Sequence, residues 1–438
     1  MTREYKDSGI EWIGRIPKEW ITCKLKHITH SMQSGGTPTS GNTSFYNDNG
    51  TPWVAIGDMH HCGEILSTQK HLTEEGLHDK SLVVFPRGTL LYSIYASIGK
   101  VSILSIPAAI NQAILAISLK ENANQAFYKF VLVSMEQYVL SLANGNTQFN
   151  LNSWIVANFI VPTPPFSEQQ QISEHLEGKC GEIDGLIALQ EQMIAQLTDY
   201  KQSVITEAVT KGLNPSEELV PSGIDWIDAI PKGWGNVRFY YSNWIRGRLG
   251  WKGLKSEEYT ESGYPFLSAF NIINNKLDWS DINYINQERY DESPEIKLNV
   301  GDILLVKDGA GIGKCARIDE LPLGESTVNS SLAVITPKAF LNYKYLYYYL
   351  QSNSFWSIIN LLLVGMGVPH LTQTNMKNIK MPLPSLEEQI AIAEYLDAKC
   401  DEIDKLIETK RLKIETLKEY KKSIIYEAVT GKTDLRDS

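Results

Sequence analysis

Two long stretches of the chain carry apolar residues at alternating steps of four and three. In the first they fall at Ile183, Ile187, Ile194, Leu197, Val204 and Ala208, and in the second at Ile403, Ile407, Ile414, Leu417, Ile424 and Ala428. That spacing lays one stripe along a helix, so each stretch predicts a long helix that buries one narrow seam. Polar residues interrupt the seams at matching places, Gln190 and Lys410, then Lys201 and Lys421. Interruptions of this kind fix register at some cost in stability. At 1.5 Å per residue, about 40 helical residues span roughly 60 Å. Pro162, Pro164 and Pro165 precede the first helix, and Pro382 and Pro384 the second, where a ring without an N–H is tolerated. Gly178, Gly181 and Gly185 weaken the early turns of the first helix, and a kink is expected there.

The stretches are copies of each other. At an offset of 220 they share Glu168/Glu388, Gln169/Gln389, Lys179-Cys180/Lys399-Cys400, Glu182-Ile183-Asp184/Glu402-Ile403-Asp404, Tyr200-Lys201/Tyr420-Lys421 and Glu207-Ala208-Val209-Thr210/Glu427-Ala428-Val429-Thr430. A second repeat precedes each globular part. Ser8-Gly9-Ile10-Glu11-Trp12-Ile13 with Ile16-Pro17-Lys18-Glu19-Trp20 returns as Ser222-Gly223-Ile224-Asp225-Trp226-Ile227 with Ile230-Pro231-Lys232-Gly233-Trp234. The paired tryptophans read as apolar anchors that pack this arm on its domain. Between arm and helix the copies agree in punctuation rather than detail. Short β-rich runs at 82–85, 89–92, 101–104 and 113–117, and at 303–306, 315–318 and 332–335, are separated by Gly and Pro. They predict a twisted or barrel-like sheet, with one helical stretch after it in each copy, about 124–143 and 343–363. The fold class is α+β. The expected division is 1–160, 161–212, 213–380 and 381–438, as domain, helix, domain, helix. A shared framework with divergent loops suggests that each domain reads a different target while the helices do one common job.

Charge refines this picture. The chain has 438 residues, with 41 Lys and Arg against 51 Asp and Glu for a net charge of −10. The first helical segment holds eight acids and three bases, and the second eleven and nine, so most of the excess lies on the helices. The domains are close to neutral and can carry local basic faces. No run of about 18 apolar residues and no signal-like start occurs, and a cytoplasmic protein is expected. Five cysteines form no CxxC pair, so neither a disulfide framework nor a zinc site is signalled, and Cys180 and Cys400 read as small packers.

The Ser-Gly-Ile-(Glu/Asp)-Trp-Ile arms, the Pro-x-Pro-x-x-x-Glu-Gln helix entries and the Glu-Ala-Val-Thr helix ends together resemble the specificity subunit of type I restriction-modification enzymes. The resemblance covers essentially the whole chain. It implies two target-recognition domains related by pseudo-two-fold symmetry, each reading half of an asymmetric, split DNA site, separated by helices paired as an antiparallel coiled coil. Two methyltransferase subunits carrying S-adenosylmethionine and restriction subunits using ATP and Mg are the implied partners, with no cofactor in this chain itself. A rod that holds two readers fixes the half-site spacing geometrically. Acidic helix faces suit protein partners better than phosphates.

Candidate DNA-contacting residues follow from charge and turn chemistry. Arg238, Arg246, Arg248, Lys252 and Lys255 lie in an acid-free, Gly-rich run of the second domain, where Arg can reach guanine edges. The first domain answers with Ser34, Gly36 and Thr37, richer in hydroxyl and backbone donors. Further candidates follow the sheet turns: Tyr92, Tyr95 and Lys100 in the first domain, Lys307 and Lys314 in the second. Asn111-Gln112 and Asn329-Ser330 offer amides and hydroxyls, and an Asn or Gln pairs bidentately with adenine. Thr147 and Gln148 lie in the loop ahead of one last strand and His370 in the other. For each of these a structural hydrogen bond competes with base contact.

Three motifs are set aside. Gly309-Ala310-Gly311-Ile312-Gly313-Lys314 resembles a phosphate loop but has Asp308 and Cys315 where the pattern needs Gly and Ser/Thr. Thr163-Pro164-Pro165-Phe166 resembles the Pro-Pro element of amino-methyltransferases without its leading carboxylate or amide. His60-His61-Cys62 has no matching ligand pair and reads as a loop. No catalytic set is respected by the repeat, so a non-catalytic recognition subunit is expected. The rivals are a self-contained methyltransferase or nuclease and a coiled-coil scaffold for protein or sugar.

Overall fold

The computed structural model describes residues 3–59, 62–95, 97–143, 151–248, 256–309, 311–363 and 370–436. The chain forms two compact units, Met1–Gln190 with Leu412–Ser438, and Glu191–Arg411. Each contains an arm, two sheets, a set of short helices, and parts of both long helices.

In the first unit the arm is an antiparallel hairpin of Tyr5–Asp7 with Arg15–Pro17. Ile21–Lys24 then pairs with Ile160–Thr163, which brings the start of the domain beside its end. A five-stranded sheet runs in the order Thr29–Ser34, Ile114–Leu119, Leu90–Ser93, Val101–Leu104, Gly63–Ile65, and a three-stranded sheet in the order Ala109–Ile110, Tyr46–Val54, Lys70–Leu72. The second unit repeats this plan. Its arm pairs Leu219–Ile224 with Ile227–Pro231, and Gly235–Arg238 pairs with Lys380–Leu383. One sheet runs Asn243–Arg246, Leu332–Pro337, Ile303–Val306, Cys315–Arg317, and the other Asn283–Ile285, Tyr264–Leu267, Thr327–Val328. The mixed helix and sheet content agrees with the α+β expectation.

The short helices depart from it in detail. Each expected helical stretch is broken once, into Gln125–Ser134 and Glu136–Ala143, and into Tyr343–Gln351 and Asn353–Leu363. In the second unit Ser352 takes an extended backbone, and its hydroxyl donates to the Tyr349 carbonyl while accepting from the Phe355 N–H. The run at 82–85 is no strand; Phe85 makes a single bridge to Ala108.

The long helices are Phe166–Lys211 and Leu386–Val429. The first is continuous through Gly178, Gly181 and Gly185. Within each unit the two helices run antiparallel, early residues of one meeting late residues of the other. In the first unit the Lys421 Nζ donates to both oxygens of Asp184 at 2.7 Å, and in the second the Lys201 Nζ donates to Asp404 at 2.6 Å. The two bridges use repeat-equivalent residues, and Lys201 and Lys421 are the polar seam positions of the sequence pattern.

The repeated motifs explain how each unit closes on its helix. Trp20 and Trp234 donate indole N–H bonds to Glu168 at 2.8 Å and Glu388 at 2.9 Å. Gln169 and Gln389 each accept from the backbone N–H of a short helix's capping asparagine, Asn124 or Asn342, at 2.8 Å. Their amide nitrogens donate to the Pro164 and Pro384 carbonyls. The Glu-Gln pair therefore joins arm, domain and helix at one point. At the helix ends Gly212 and Gly431 take the left-handed φ of +75° and +70° that terminates a helix. A side chain at Gly431 would meet Pro17 at 2.5 Å and Trp20 at 2.9 Å, so the second helix ends directly on the first arm. Cys180 and Cys400 are buried, and burial pushes both thiols up to about 11, consistent with packing.

Candidate nucleic-acid interface

The sheet register brings the candidate loops of each unit together. In the first unit Ser34 pairs with Leu115 and Ser93 with Ile114, so the ends of two strands and the start of the strand between them lie at one edge. In the second unit Arg246 pairs with Val334 and Val306 with Leu332, giving the same arrangement. There the Leu371 N–H also donates to the Lys307 carbonyl, and Asp308 bridges His370, which adds residues 370 and 371 to the cluster. Segments far apart in sequence thus form one loop-built surface per unit.

At that edge each unit holds a turn fixed by an asparagine. The Asn111 N–H donates to the Val54 carbonyl at 3.0 Å, the Asn111 Oδ1 accepts from the Ala113 N–H at 3.1 Å, and the Ala113 carbonyl accepts from Ile94 at 2.8 Å. In the second unit Asn329 donates to Leu267 at 2.8 Å, its Oδ1 accepts from the Ser331 N–H at 3.0 Å, and the Ser331 carbonyl accepts from Lys307 at 2.9 Å. Asn111 and Asn329 were candidates for adenine contact; their side-chain oxygens instead hold the turn. Gln112 and Ser330, the residues that follow them, are exposed.

Two further candidates are corrected by burial. The Tyr92 side chain is buried in the sheet core beside Phe159, and burial raises its phenol pKa. Its strand alternates inward at that position, and a phenol there meets no surface ligand. The Arg246 side chain is 4% exposed and faces a fully buried Asp302 at 2.7 Å. It also donates to the Thr336 hydroxyl and to the Glu295 and Lys297 carbonyls, so its guanidinium holds the second domain together. Neither the phenol nor the guanidinium reaches the loop surface, because a side chain's face on a strand is set by register rather than by its polarity.

The remaining candidates are distributed as follows. Ser34 and Lys314 are exposed, Tyr95 is exposed, and Gly36 donates its N–H to the Ile110 carbonyl at 3.0 Å. The Lys100 Nζ donates to the Met59 carbonyl at 3.3 Å. Thr37 donates its hydroxyl to the Gln112 Oε1. The Arg248 side chain is 4% exposed and lies 3.6 Å from Glu292. Lys307 contacts Asp308 at 3.0 Å, and His370 contacts the other oxygen of the same carboxylate. Asp308 was not singled out by charge counting, since its second base, His370, is 62 residues away and comes beside it only in the fold. Thr147, Gln148, Lys252 and Lys255 lie outside the described residues, as do His60 and His61. Among the described residues no group of three or more His, Cys, Asp and Glu is arranged to hold a metal ion.

Paired modules of this kind, each a loop-bearing sheet edge fastened to a helical stem by a repeated Trp–Glu–Gln joint, define a duplicated recognition protein. The family model described as "Type I restriction modification DNA specificity domain" matches the chain twice, at residues 17–198 and 251–416. The chain belongs to that family. It is 26% identical over 448 residues to the type I restriction enzyme MjaIX specificity subunit of Methanocaldococcus jannaschii, covering 98% of this chain and 96% of that protein. The MjaVIII specificity subunit of the same organism is also 26% identical, over 82% of each chain. Among solved structures, a chain from work on complex assembly and conformational transition of the type I R-M system superimposes with a TM-score of 0.70 at 20% identity, covering 95% and 99% of the two chains. That likeness supports the fold. Among the described residues no helix is long and apolar enough to cross a membrane.

Proposed function

We propose that this chain is the DNA-specificity subunit of a cytoplasmic type I restriction-modification enzyme, and that each unit reads one half of a bipartite, asymmetric site through its loop edge. The family match falling once on each unit is the observation that carries the reading. The divergence of the two edges, one offering Ser34, Thr37 and Gln112 and the other Lys307, Lys314 and His370, supports two different half-sites. Phosphate contacts from exposed bases such as Lys314 position the edge, and amides and hydroxyls discriminate bases. The two long helices set the number of base pairs between the halves and dock two methyltransferase subunits. The chain supplies recognition, while S-adenosylmethionine, ATP and Mg chemistry belongs to partner methyltransferase and restriction subunits.

Sequencing methylated adenines in cells that express the chain with its methyltransferase tests this. The expected result is a two-part motif with a fixed gap. Replacing residues 21–160 by the corresponding part of another family member changes one half only. A continuous motif, or a gap that varies from site to site, overturns the proposal.

A further inference from the structure

The asparagine turn at each loop edge is reproduced bond for bond in two domains that otherwise share little sequence. Four backbone or side-chain hydrogen bonds recur. The asparagine N–H reaches Val54 or Leu267; its Oδ1 accepts from Ala113 or Ser331; its carbonyl accepts from Ile114 at 3.2 Å or Leu332 at 3.3 Å; and the carbonyl two residues on accepts from Ile94 or Lys307. In the second unit the Ser331 hydroxyl adds a further bond to the Asn329 Oδ1 at 2.5 Å. One residue of the turn takes no part in this set: Gln112 in the first unit and Ser330 in the second. Both are exposed, and both stand at the tip of a rigid scaffold.

Resting on the DNA-reading function above, we infer that this position is the specificity-determining site of each unit, with Gln112 and Ser330 as the side chains that touch a base edge. The backbone beneath is fixed, so changing this one residue changes the group presented without moving its origin. That is what a protein reading two different half-sites from one scaffold requires.

In the first unit the side chain is also oriented. Thr37 donates its hydroxyl to the Gln112 Oε1, which turns the amide nitrogen and its two N–H groups away from Thr37. Thr37 can reach it because Gly35 and Gly36 let the chain cross the turn closely. A Cβ at Gly35 would lie 1.9 Å from the Ile110 carbonyl oxygen, and one at Gly36 would lie 2.7 Å from Leu82. Gln112 therefore presents donors and is matched to a base-edge acceptor, a purine N7 above all. Ser330 is short and presents a single hydroxyl, which reads less of an edge. Thr37 is a positioning residue: it sets the amide's orientation without touching the base.

The test uses the full chain expressed with its methyltransferase partner and maps methylated adenines for Gln112→Ser, Ser330→Gln and Thr37→Val. Gln112→Ser is expected to relax selection at one base of one half-site by roughly tenfold or more, the range given by loss of a good base contact. The other half and the gap stay unchanged. Ser330→Gln alters one base of the opposite half, and Thr37→Val gives a weaker relaxation at the same base as Gln112→Ser. A wild-type motif in both tip variants overturns the inference. Complete loss of methylation by a tip variant whose melting temperature is unchanged also overturns it, since a single reading contact affects one base and not assembly. Where a tip variant melts lower, Gln112→Glu decides, because it keeps the side-chain length and replaces the outward donors by an acceptor. A switch of the selected base toward one bearing an amino donor supports the inference, and an unchanged motif overturns it. If the unmodified chain yields no two-part motif at all, the function proposal fails first, and that result is distinct from the variant outcomes.

Discussion

The two units place different chemistry on one ladder. In the second, Arg246 and Asp302 form a buried ion pair completed by Thr336. In the first, sheet register puts Gln33, Thr89 and Ser118 at the matching positions, where Gln33 is exposed and the Thr89 hydroxyl donates to the Pro86 carbonyl at 2.8 Å. At this position one domain carries no charge, and the other encloses a full ion pair. The frame tolerates either because its geometry comes from apolar strands such as Leu90–Ser93 and Ile303–Val306, buried throughout. Polar detail in the core is free to differ, whereas the Trp–Glu–Gln joint, which fastens arm, domain and helix, is the same in both.

Breaking the buried pair gives the largest expected effect. Asp302→Ala leaves Arg246 uncompensated and is expected to cost about 3–5 kcal/mol, confined to the second unit. Hydrogen exchange should report loss of protection in Ile303–Val306 and Leu332–Pro337 but not in Leu90–Ser93. The double change Arg246→Gln with Asp302→Thr, which copies the first unit, should recover most of that loss. A double variant as unstable as the single one would show that the two frames are not interchangeable.

Glu168 accepts from Trp20 and also pairs with Arg3 at 2.5 Å, whose side chain is 3% exposed, whereas Glu388 accepts from Trp234. Glu168→Ala should therefore cost roughly 2 kcal/mol and Glu388→Ala about 1 kcal/mol, because the former also removes one carboxylate from the buried Arg3, leaving it Glu19 at 2.7 Å and Asp434 at 3.7 Å. Denaturant midpoints of the two variants check the ordering, and equal shifts would mean that Arg3 adds nothing.

Acid should separate the units next. Burial opposes ionisation of Asp397, but hydrogen bonds from Tyr348, Arg317 and Lys344 outweigh it and hold the carboxyl below its ordinary value of 3.8. A depressed folded-state pKa contributes stability that is present above 3.8 and is lost as pH falls through the folded value. The corresponding acid of the first unit, Glu177, is half exposed and lies 3.9 Å from Lys129. Lowering pH from about 5 to 3 is expected to weaken the second unit more through this site, and Asp397→Asn should remove that part of the difference. An unchanged acid dependence in the variant would count against the assignment.

The smallest effect belongs to the helices. Lys201→Ala and Lys421→Ala each break one partly exposed interhelical bridge and should cost about 0.3–1 kcal/mol. Exchanging charges as Asp184→Lys with Lys421→Asp should restore the loss, and a double-mutant cycle measures it. Unequal costs at the two sites would mark a difference between the copies that the seam pattern does not show.

Much of the framework was legible from residue order. The seam spacing gave both helices, and repetition marked Trp20, Glu168 and Gln169 as shared without saying what joined them. The candidate surface was legible only in part. The segment after Ser34 and the turns at Asn111 and Asn329 lie between strands as expected, but Tyr92 and Arg246 were placed on that surface by chemical type, and the strands turn both inward. Asp308 carried no signal, because its two basic partners come together only when residue 370 returns to the sheet edge.

Residue order alone encoded what local rules and repetition can carry: two amphipathic helices, two arms, one of the two sheets in each unit and a duplicated family signature. Tertiary structure alone decided which polar groups are spent inside the protein and which face outward. Asn111 and Gln112 are neighbours with the same amide chemistry, yet one locks a turn and the other stands at its tip. That division depends on Val54, Ile94 and Thr37, residues distant in the chain whose positions are set by strand pairing and not by anything written beside the amides.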